Sequence, residues 1–495
     1  MRNVLTCAQM RAADKYTMQE VGIGAQELME RAGKAIAEET ASLLERTGGR
    51  SVLAVCGGGN NGGDGWCAAR ILAQEGYETA VYTLTDKCSQ DCAAQRALYA
   101  GKVYSNFPKE HYDVIVDAIF GTGFHGVPEG IYADAIERIN ASGSLVVSAD
   151  IPSGLNGDTG TYYACVKASR TVTLGELKGG LLLGNGADVC GELICKDIGI
   201  RLPERAQAGM SEAEDFRKLF LPRKKNTNKG NFGKAVIVAG SLDYSGAALL
   251  SASAALRGGC GYTQLILPQE LFLHCIGKYP EVILTGAPSQ DGGLRFDEAF
   301  YREKMRGADS IAVGMGCGVS ESVYEILQFL LSEYRGTLLI DADGINSIAQ
   351  YGADVLREKG CRVILTPHPK EFARLCQKEL SEVLTNGAVL AKEFAAEYGV
   401  AVLLKGHTSV ITNGNFTIFN TEGTPALAKG GSGDVLSGLI ASLAARGASA
   451  MEAASCGAFL LGRAGCLAEK RLGEYSVTPS DVIGELANAI LSLKD

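Results

Sequence analysis

The sequence predicts an α/β protein made of two three-layer α/β/α domains, and three observations carry that prediction. Short apolar runs alternate with helix-length segments along nearly all 495 residues, and glycine-rich turns repeatedly follow the runs. The alternation breaks once, between Arg201 and Gly230, into a polar stretch holding Pro203, Pro222 and the basic residues Arg223, Lys224, Lys225 and Lys229. A chain of this length also exceeds what one core organises, so the break is read as the boundary between domains 1–215 and 216–495.

In the first half, helical apolar spacing runs from Leu28 to Leu44. Strand-like runs follow at Ser51–Cys56, Thr79–Leu84, Val114–Ile119, Leu145–Ala149 and Thr171–Leu174. The second half repeats the alternation at Ala235–Ala239, Thr263–Leu267, Ser310–Val313, Thr337–Ile340, Arg362–Leu365, Val400–Leu404, Ser409–Ile411 and Phe416–Phe419. The runs are too apolar for half-exposed strands and suit parallel sheets covered on both faces. The halves share no motif, so the chain reads as a fusion and not a duplication.

Composition narrows the class. Apolar residues make up 46 % and charged ones 21 %, which is ordinary globular usage. A formal net charge of −9 argues against nucleic-acid binding, which needs concentrated Lys and Arg, and the one basic cluster reads as a solvated linker. No run of 18 apolar residues occurs and the first ten residues lack a signal-peptide core, so no membrane partner and a cytoplasmic location are expected. Fifteen cysteines without CxxC pairs, several in apolar runs (Cys56, Cys260, Cys361), read as reduced and mostly buried thiols. Five histidines with no metal-binding spacing argue against a zinc site.

The chemistry is concentrated in turns. Gly57-Gly58-Gly59-Asn60-Asn61-Gly62-Gly63-Asp64 follows a strand and satisfies Gly-x-Gly-x-x-Gly, with a helix expected from near Trp66. The next strand ends Val81-Tyr82-Thr83-Leu84-Thr85 without the acid that binds a ribose, which weakens a hydride-transfer reading. Asp117 and Asp150 each stand at the carboxyl end of a strand before a glycine loop, the edge where open parallel sheets bind ligands, although a single Asp there often only caps a helix. The second half carries Lys229-Gly-Asn-Phe-Gly233, Gly314-Met-Gly-Cys-Gly318, Asp341-Ala-Asp-Gly-Ile-Asn346, Thr366-Pro-His-Pro-Lys-Glu371 and Leu404-Lys-Gly-His-Thr408. Finally Gly430-Gly-Ser-Gly-Asp434 opens the apolar helix Val435–Leu443. Amides at a helix start with a carboxylate beside them are what phosphoryl transfer to a hydroxyl requires: the amides take developing charge and Asp434 accepts the hydroxyl proton.

These residues are specific enough to support a resemblance. Leu28-Met-Glu-Arg-Ala-Gly33, the NNGGDG turn, DAIFGTG and DIPSG resemble the NAD(P)HX epimerase domain of the YjeF N-terminal type, which is Rossmann-like. KGNFG, GMGCG, DADGIN, TPHPKE, LKG and GGSGD resemble the ADP-dependent NAD(P)HX dehydratase, which is ribokinase-like. Their order is that of the bifunctional NAD(P)H-hydrate repair enzymes. The resemblance implies NAD(P)HX and ADP as substrates, potassium in the first domain and magnesium in the second, and a homo-oligomer. It places potassium on Asn61, Asp117 and Ser153. It places the first-domain substrate on Asn60, Asn61, Gly62, Gly63, Asp64, Gly121, Thr122, Gly123, Phe124, His125, Gly126, Val127 and Asp150, with Asp150 as acid/base. In the second domain Lys405, Gly406, His407, Thr408 and Gly433 meet the nucleotide, and Ala247, Gly316, His368 and Asp434 meet the hydrated dinucleotide, with Glu371 as a helper to magnesium.

The chain departs from the family at Asn228, Met315 and Lys429, where His, Pro and Thr are common. Lys429 introduces a cation close to where phosphates would lie, which bears on the choice of ADP over ATP. A small-molecule kinase of ribokinase type, with an N-terminal ligand-binding module, is the alternative, because it shares the Gly-Ser-Gly-Asp machinery and differs only in the acceptor.

Overall fold

The computed structural model describes residues 1–494. The chain divides into two compact units, Arg2–Gly209 and Met210 onward.

The first unit is built on seven parallel strands. Across the sheet they run Lys102–Tyr104, Glu78–Thr83, Ser51–Cys56, Val114–Ala118, Leu145–Ala149, Arg170–Leu174 and Glu192–Lys196. Side chains alternate between faces. Val52, Ala54 and Cys56 therefore pack with Ile36, Leu44, Trp66 and Leu72 of the helices Ala25–Thr47 and Asn60–Gln74. Leu53 and Val55 pack on the opposite face with Ile136 and Ile139 of the helix Ile131–Ala141. Three layers result. A further parallel pair, Arg2–Leu5 with Leu177–Lys178, buries Lys178 completely.

The main sheet of the second unit carries nine strands in the order Ile283–Ala287, Tyr262–Pro268, Lys234–Val238, Ser310–Val313, Thr337–Ile340, Arg362–Leu365, Ala401–Leu404, Ser409–Thr412 and Thr417–Asn420. The first seven are parallel and the last two close antiparallel. Ile237, Leu265, Ala312, Leu339 and Ile364 share a core with the helices Ser432–Ala445 and Ala450–Leu472.

Edge strands escaped the sequence reading. Lys102–Tyr104, Glu192–Lys196 and Ile283–Ala287 face a neighbour on one side only, so polar residues and glycine are tolerated and no apolar run marks them. The basic cluster is exposed, as expected of a solvated linker, and two of its side chains lie over aromatic rings. Arg223 stacks 3.7 Å from the Phe232 ring centre and Lys229 4.7 Å from that of Tyr262. All fifteen cysteines are free, with Cys56 and Cys361 buried as expected and Cys260 half-buried. No described helix is long and apolar enough to cross a membrane.

The Ser432–Ala445 helix is pressed so closely on the helix Ser245–Arg257 that a Cβ at Gly438 would stand 1.9 Å from the Ser251 carbonyl oxygen. Glycine normally costs an interior helix position about 1 kcal/mol relative to alanine. Here the backbone clash exceeds that gain. Gly438→Ala is expected to lower the thermal midpoint, with a net loss of about 1–3 kcal/mol; an unchanged or higher midpoint in calorimetry would show that the helices part without cost.

Candidate active sites

In the first unit the strand order reverses between Ser51–Cys56 and Val114–Ala118, and a cavity of about 870 Å³ opens outside their carboxyl ends. The glycine motif forms the cavity wall in a way the sequence did not suggest. The helix starts at Asn60, six residues before Trp66, with Gly59 as its N-cap, so Asn60 to Asp64 are its first turn. A Cβ on Gly62 would lie 2.0 Å from the Gly57 carbonyl oxygen, so glycine there lets the helix begin directly against the strand. Asn60, Asn61, Asp64, Gly121, Thr122, Gly123, Phe124, His125 and Asp150 line the cavity. Gly62 and Gly63 are buried packing positions, and Gly126 and Val127 lie beyond the lining.

Asp150 is one of four non-glycine residues with positive φ, at 67°. Its Oδ1 accepts bonds from Lys178 Nζ at 2.5 Å, the Leu174 amide at 3.2 Å and Thr173 Oγ1 at 3.3 Å. Lys178, not named from the sequence, stands in the short strand Leu177–Lys178 that pairs with Arg2–Leu5. Two further carboxyls share the cavity, Asp14 and Asp64. Burial pushes Asp64 well above the carboxylate range, with Asp150 and Asp14 adding to the rise. Burial pushes Asp14 up to about 6; Lys178 pulls it back and Asp150 raises it.

Behind the lining, Asp117 is fully buried, and burial raises its carboxyl against the bonds that lower it. Its Oδ2 accepts from Ser148 Oγ at 2.8 Å and the Ser153 amide at 2.9 Å, and its Oδ1 from the Ile119 amide at 3.4 Å. Ser153 Oγ in turn accepts from the Phe120 amide at 2.9 Å. Asn61 adjoins the next residue: a Cβ on Gly121 would be 3.3 Å from the Asn61 side chain. Both polar atoms of that Asn61 side chain are buried without a partner.

In the second unit the Ser432–Ala445 helix again begins within the glycine motif, with Gly431 as N-cap at φ 99°, so Asp434 lies in its first turn. A Cβ on Gly433 would sit 3.6 Å from Lys405 Nζ, which binds Asp341 Oδ1 at 2.9 Å and lies 3.9 Å from Glu371 Oε2. Asp341 Oδ2 accepts from Ser437 Oγ at 2.6 Å. Burial works against the Lys405 charge, but Asp341 and Glu371 outweigh it and hold the ammonium above the usual lysine value. Asp434 is pushed up to about 7, by burial first and then by Asp341, with Lys405 pulling it down and Asp343 adding to the rise. Asp341 opens the DADGIN motif but was given no role from sequence, and Ser437 was not named at all.

Gly316 abuts Tyr244 and Ala247, where its added Cβ would be 2.7 and 3.0 Å away. His368 caps the helix Pro369–Cys376: its Nδ1 accepts from the amides of Lys370 and Glu371 at 3.1 and 3.3 Å. Burial and then Lys405 hold the His368 imidazole below its usual range. Glu371 Oε2 accepts the His368 amide at 2.8 Å, and Oε1 faces His368 Nε2 at 3.3 Å, so Glu371 completes the cap. After Lys405 and Gly406, His407 Nδ1 lies 3.3 Å from Thr408 Oγ1. Lys429 does not project as a free cation toward phosphates; its ammonium donates to the carbonyls of Tyr475 and Val477, each at 2.6 Å.

Both halves of the chain match known proteins. A family model described as YjeF-related protein N-terminus matches residues 25–180, and one described as NAD(P)H-hydrate dehydratase matches residues 235–488. The bifunctional NAD(P)H-hydrate repair enzyme of Thermofilum pendens is 33 % identical over 510 residues, spanning 99 % of this chain and 97 % of its own. That of Hyperthermus butylicus is 34 % identical over 495 residues, spanning 95 % and 89 %. The crystal structure of an ADP/ATP-dependent NAD(P)H-hydrate dehydratase from Bacillus subtilis, co-crystallized with ATP/Mg2+, covers 57 % of this chain and 98 % of its own at 25 % identity, with a TM-score of 0.50. With both halves matched in order over nearly the full length, the chain belongs to the family of bifunctional NAD(P)H-hydrate repair enzymes.

Proposed function

We propose that this chain repairs hydrated NADH and NADPH: domain 1–215 interconverts the R and S epimers, and domain 216–495 dehydrates the S form while ADP becomes AMP and phosphate. The observation that carries the reading is Asp434 at a glycine-rich helix start, beside Lys405, with a carboxyl pushed up to about 7. Hydroxide is a poor leaving group. Phosphorylating the hydroxyl makes it a good one, and a base with that affinity for protons is matched to taking the hydroxyl proton near neutrality. Amides of the Gly430–Gly433 turn would receive the phosphate charge. Lys405 and Thr408 would hold the nucleotide, and His368 with the Ala247–Gly316 surface would hold the dinucleotide. A kinase would use the same groups but leave a stable phosphorylated product; the relatives that match the whole length of this chain are repair enzymes, which disfavours it.

Magnesium would be held largely by water and phosphate oxygens of the nucleotide, which this ion favours, and would offset the phosphate charge. Asp341 and Glu371, flanking Lys405, supply the nearest hard oxygens. Potassium suits the first domain. Asn61, Asp117 and Ser153 are oxygen-bearing groups linked through residues 119–121, the Asn61 amide is orphaned, and Asp117 is bonded only by neutral donors. A monovalent cation would supply the charge that this buried carboxylate lacks. In that domain Asp150 acts as acid/base on water entering or leaving carbon 6 of the ring, the carbon that bears both the hydroxyl and the ring nitrogen. The protein is further proposed to be a cytoplasmic homo-oligomer that uses neither nucleic acid nor membrane.

Asp434→Asn is expected to slow dehydration at least about 100-fold with substrate affinity retained. In the unmodified enzyme kcat/KM falls tenfold per pH unit below about 7, because a protonated Asp434 cannot accept the hydroxyl proton. Its folded value lies above the ordinary 3.8, so its contribution to stability is complete below that value and is lost as pH rises toward 7. The Asn variant should therefore melt progressively higher than the parent across that window; a variant with parental rate and parental melting would remove Asp434 from the reaction.

Potassium should raise the melting temperature of the first domain, read from the fluorescence of Trp66, the chain's single tryptophan, relative to choline at equal ionic strength. Asp117→Asn should abolish the shift. An equal shift in both proteins would refute the site.

A further inference from the structure

The first-domain cavity holds more acid chemistry than the epimerase assignment uses. Asp14, on the helix Cys7–Tyr16, lines the same wall as Met10 and Arg11, yet it lies before residue 25, where the family match begins. Neither Asp14 nor Asp64 has a hydrogen-bond partner for its carboxyl among the described residues. Asp150 is the opposite case, with three bonds to Oδ1 and none to Oδ2. Lys178 has no capacity left for substrate, because an ammonium carries three N–H groups and these go to Asp150 Oδ1, Thr173 Oγ1 at 3.0 Å and the Leu174 carbonyl at 2.7 Å.

Resting on the epimerase reading, we propose that Asp14 is the proton donor of this site and works as the partner of Asp150, which Lys178 positions. Epimerisation at carbon 6 needs both an acid and a base. Asp14 gives its proton to the hydroxyl as the carbon–oxygen bond breaks; that electron pair leaves with the oxygen as water, and the ring nitrogen lone pair forms a carbon–nitrogen double bond. Water adds to the other face, the double-bond pair returns to nitrogen, and the surplus proton goes to the Asp150 carboxylate. Proton exchange with cavity water restores both groups, so the net change is inversion alone. The charged groups facing Asp14 are Asp150 and Lys178 from the strand ends and Asp64 from the Asn60–Gln74 helix. On its own helix, Arg11 is engaged with the Thr122 carbonyl at 2.6 Å. Burial pushes Asp14 up to about 6, so an appreciable fraction carries a proton near neutrality and the conjugate carboxylate is still accessible.

The test uses the full chain and a mixture of both epimers of hydrated NADH. For Asp14→Asn, epimerisation should slow at least about 100-fold, while dehydration of the S epimer by the same chain stays parental and the Trp66 unfolding curve shows no loss of stability. The parental epimerisation rate should decline as pH rises above about 6, a limb that Asp14→Asn lacks and Asp14→Glu restores with a shifted midpoint. Parental rates and an intact alkaline limb in Asp14→Asn overturn the proposal. A parental enzyme that never epimerises faster than the spontaneous reaction sinks the epimerase reading itself, and this proposal with it.

Discussion

Each site depends on one lysine ammonium bonded to one aspartate at the carboxyl edge of a parallel sheet: Lys178 with Asp150, and Lys405 with Asp341. Taking charges out of water costs several kcal/mol per ion, so such a pair persists only when its remaining bonds are satisfied. Both are. Lys178 is completed by Thr173 and the Leu174 carbonyl, and Asp341 by Ser437. One ammonium commits to one carboxylate and leaves the neighbouring acids undercompensated. Burial, with the nearby carboxylates adding to it and the single ammonium only partly offsetting it, raises Asp14, Asp64 and Asp434 above the usual carboxylate range.

The backbone is strained at these same places. Asp150 and Ala342 are two of the four non-glycine residues with positive φ, and they stand at the ends of the strands Leu145–Ala149 and Thr337–Ile340. A side chain in that conformation costs of order 1–3 kcal/mol and survives where surrounding bonds over-determine it. For Asp150 those bonds are the three on its Oδ1. For Ala342 they are the flanking Asp341, held by Lys405 and Ser437, and Asp343, whose carboxylate accepts the Gly318 amide at 2.8 Å.

The two domains divide one chemical problem. A hydroxyl on a carbon next to a ring nitrogen can leave with acid help alone, and water can return to either face, so the first domain needs carboxyls and a cavity. Driving the loss to completion requires a better leaving group, so the second needs phosphate-binding amides, a lysine and a base. The same helix start serves both, because a parallel sheet places each following helix N-terminus at one edge.

Apolar runs located most of the central strands, because a strand covered on both faces has little freedom to be polar, and each glycine motif marked a strand-to-helix turn, although the helices begin inside the motifs and not after them. Edge strands such as Ile283–Ala287 were invisible for the converse reason. By itself the sequence determined the fold class, the motifs and the family. Tertiary structure alone decided that Lys178 and Asp14 join Asp150, that Glu371 caps a helix with His368, and that Lys429 is spent on two carbonyls. Those are contacts between residues distant in the chain or turned by a local cap. Charge, burial and competition for a single ammonium exist only once the chain has closed around them.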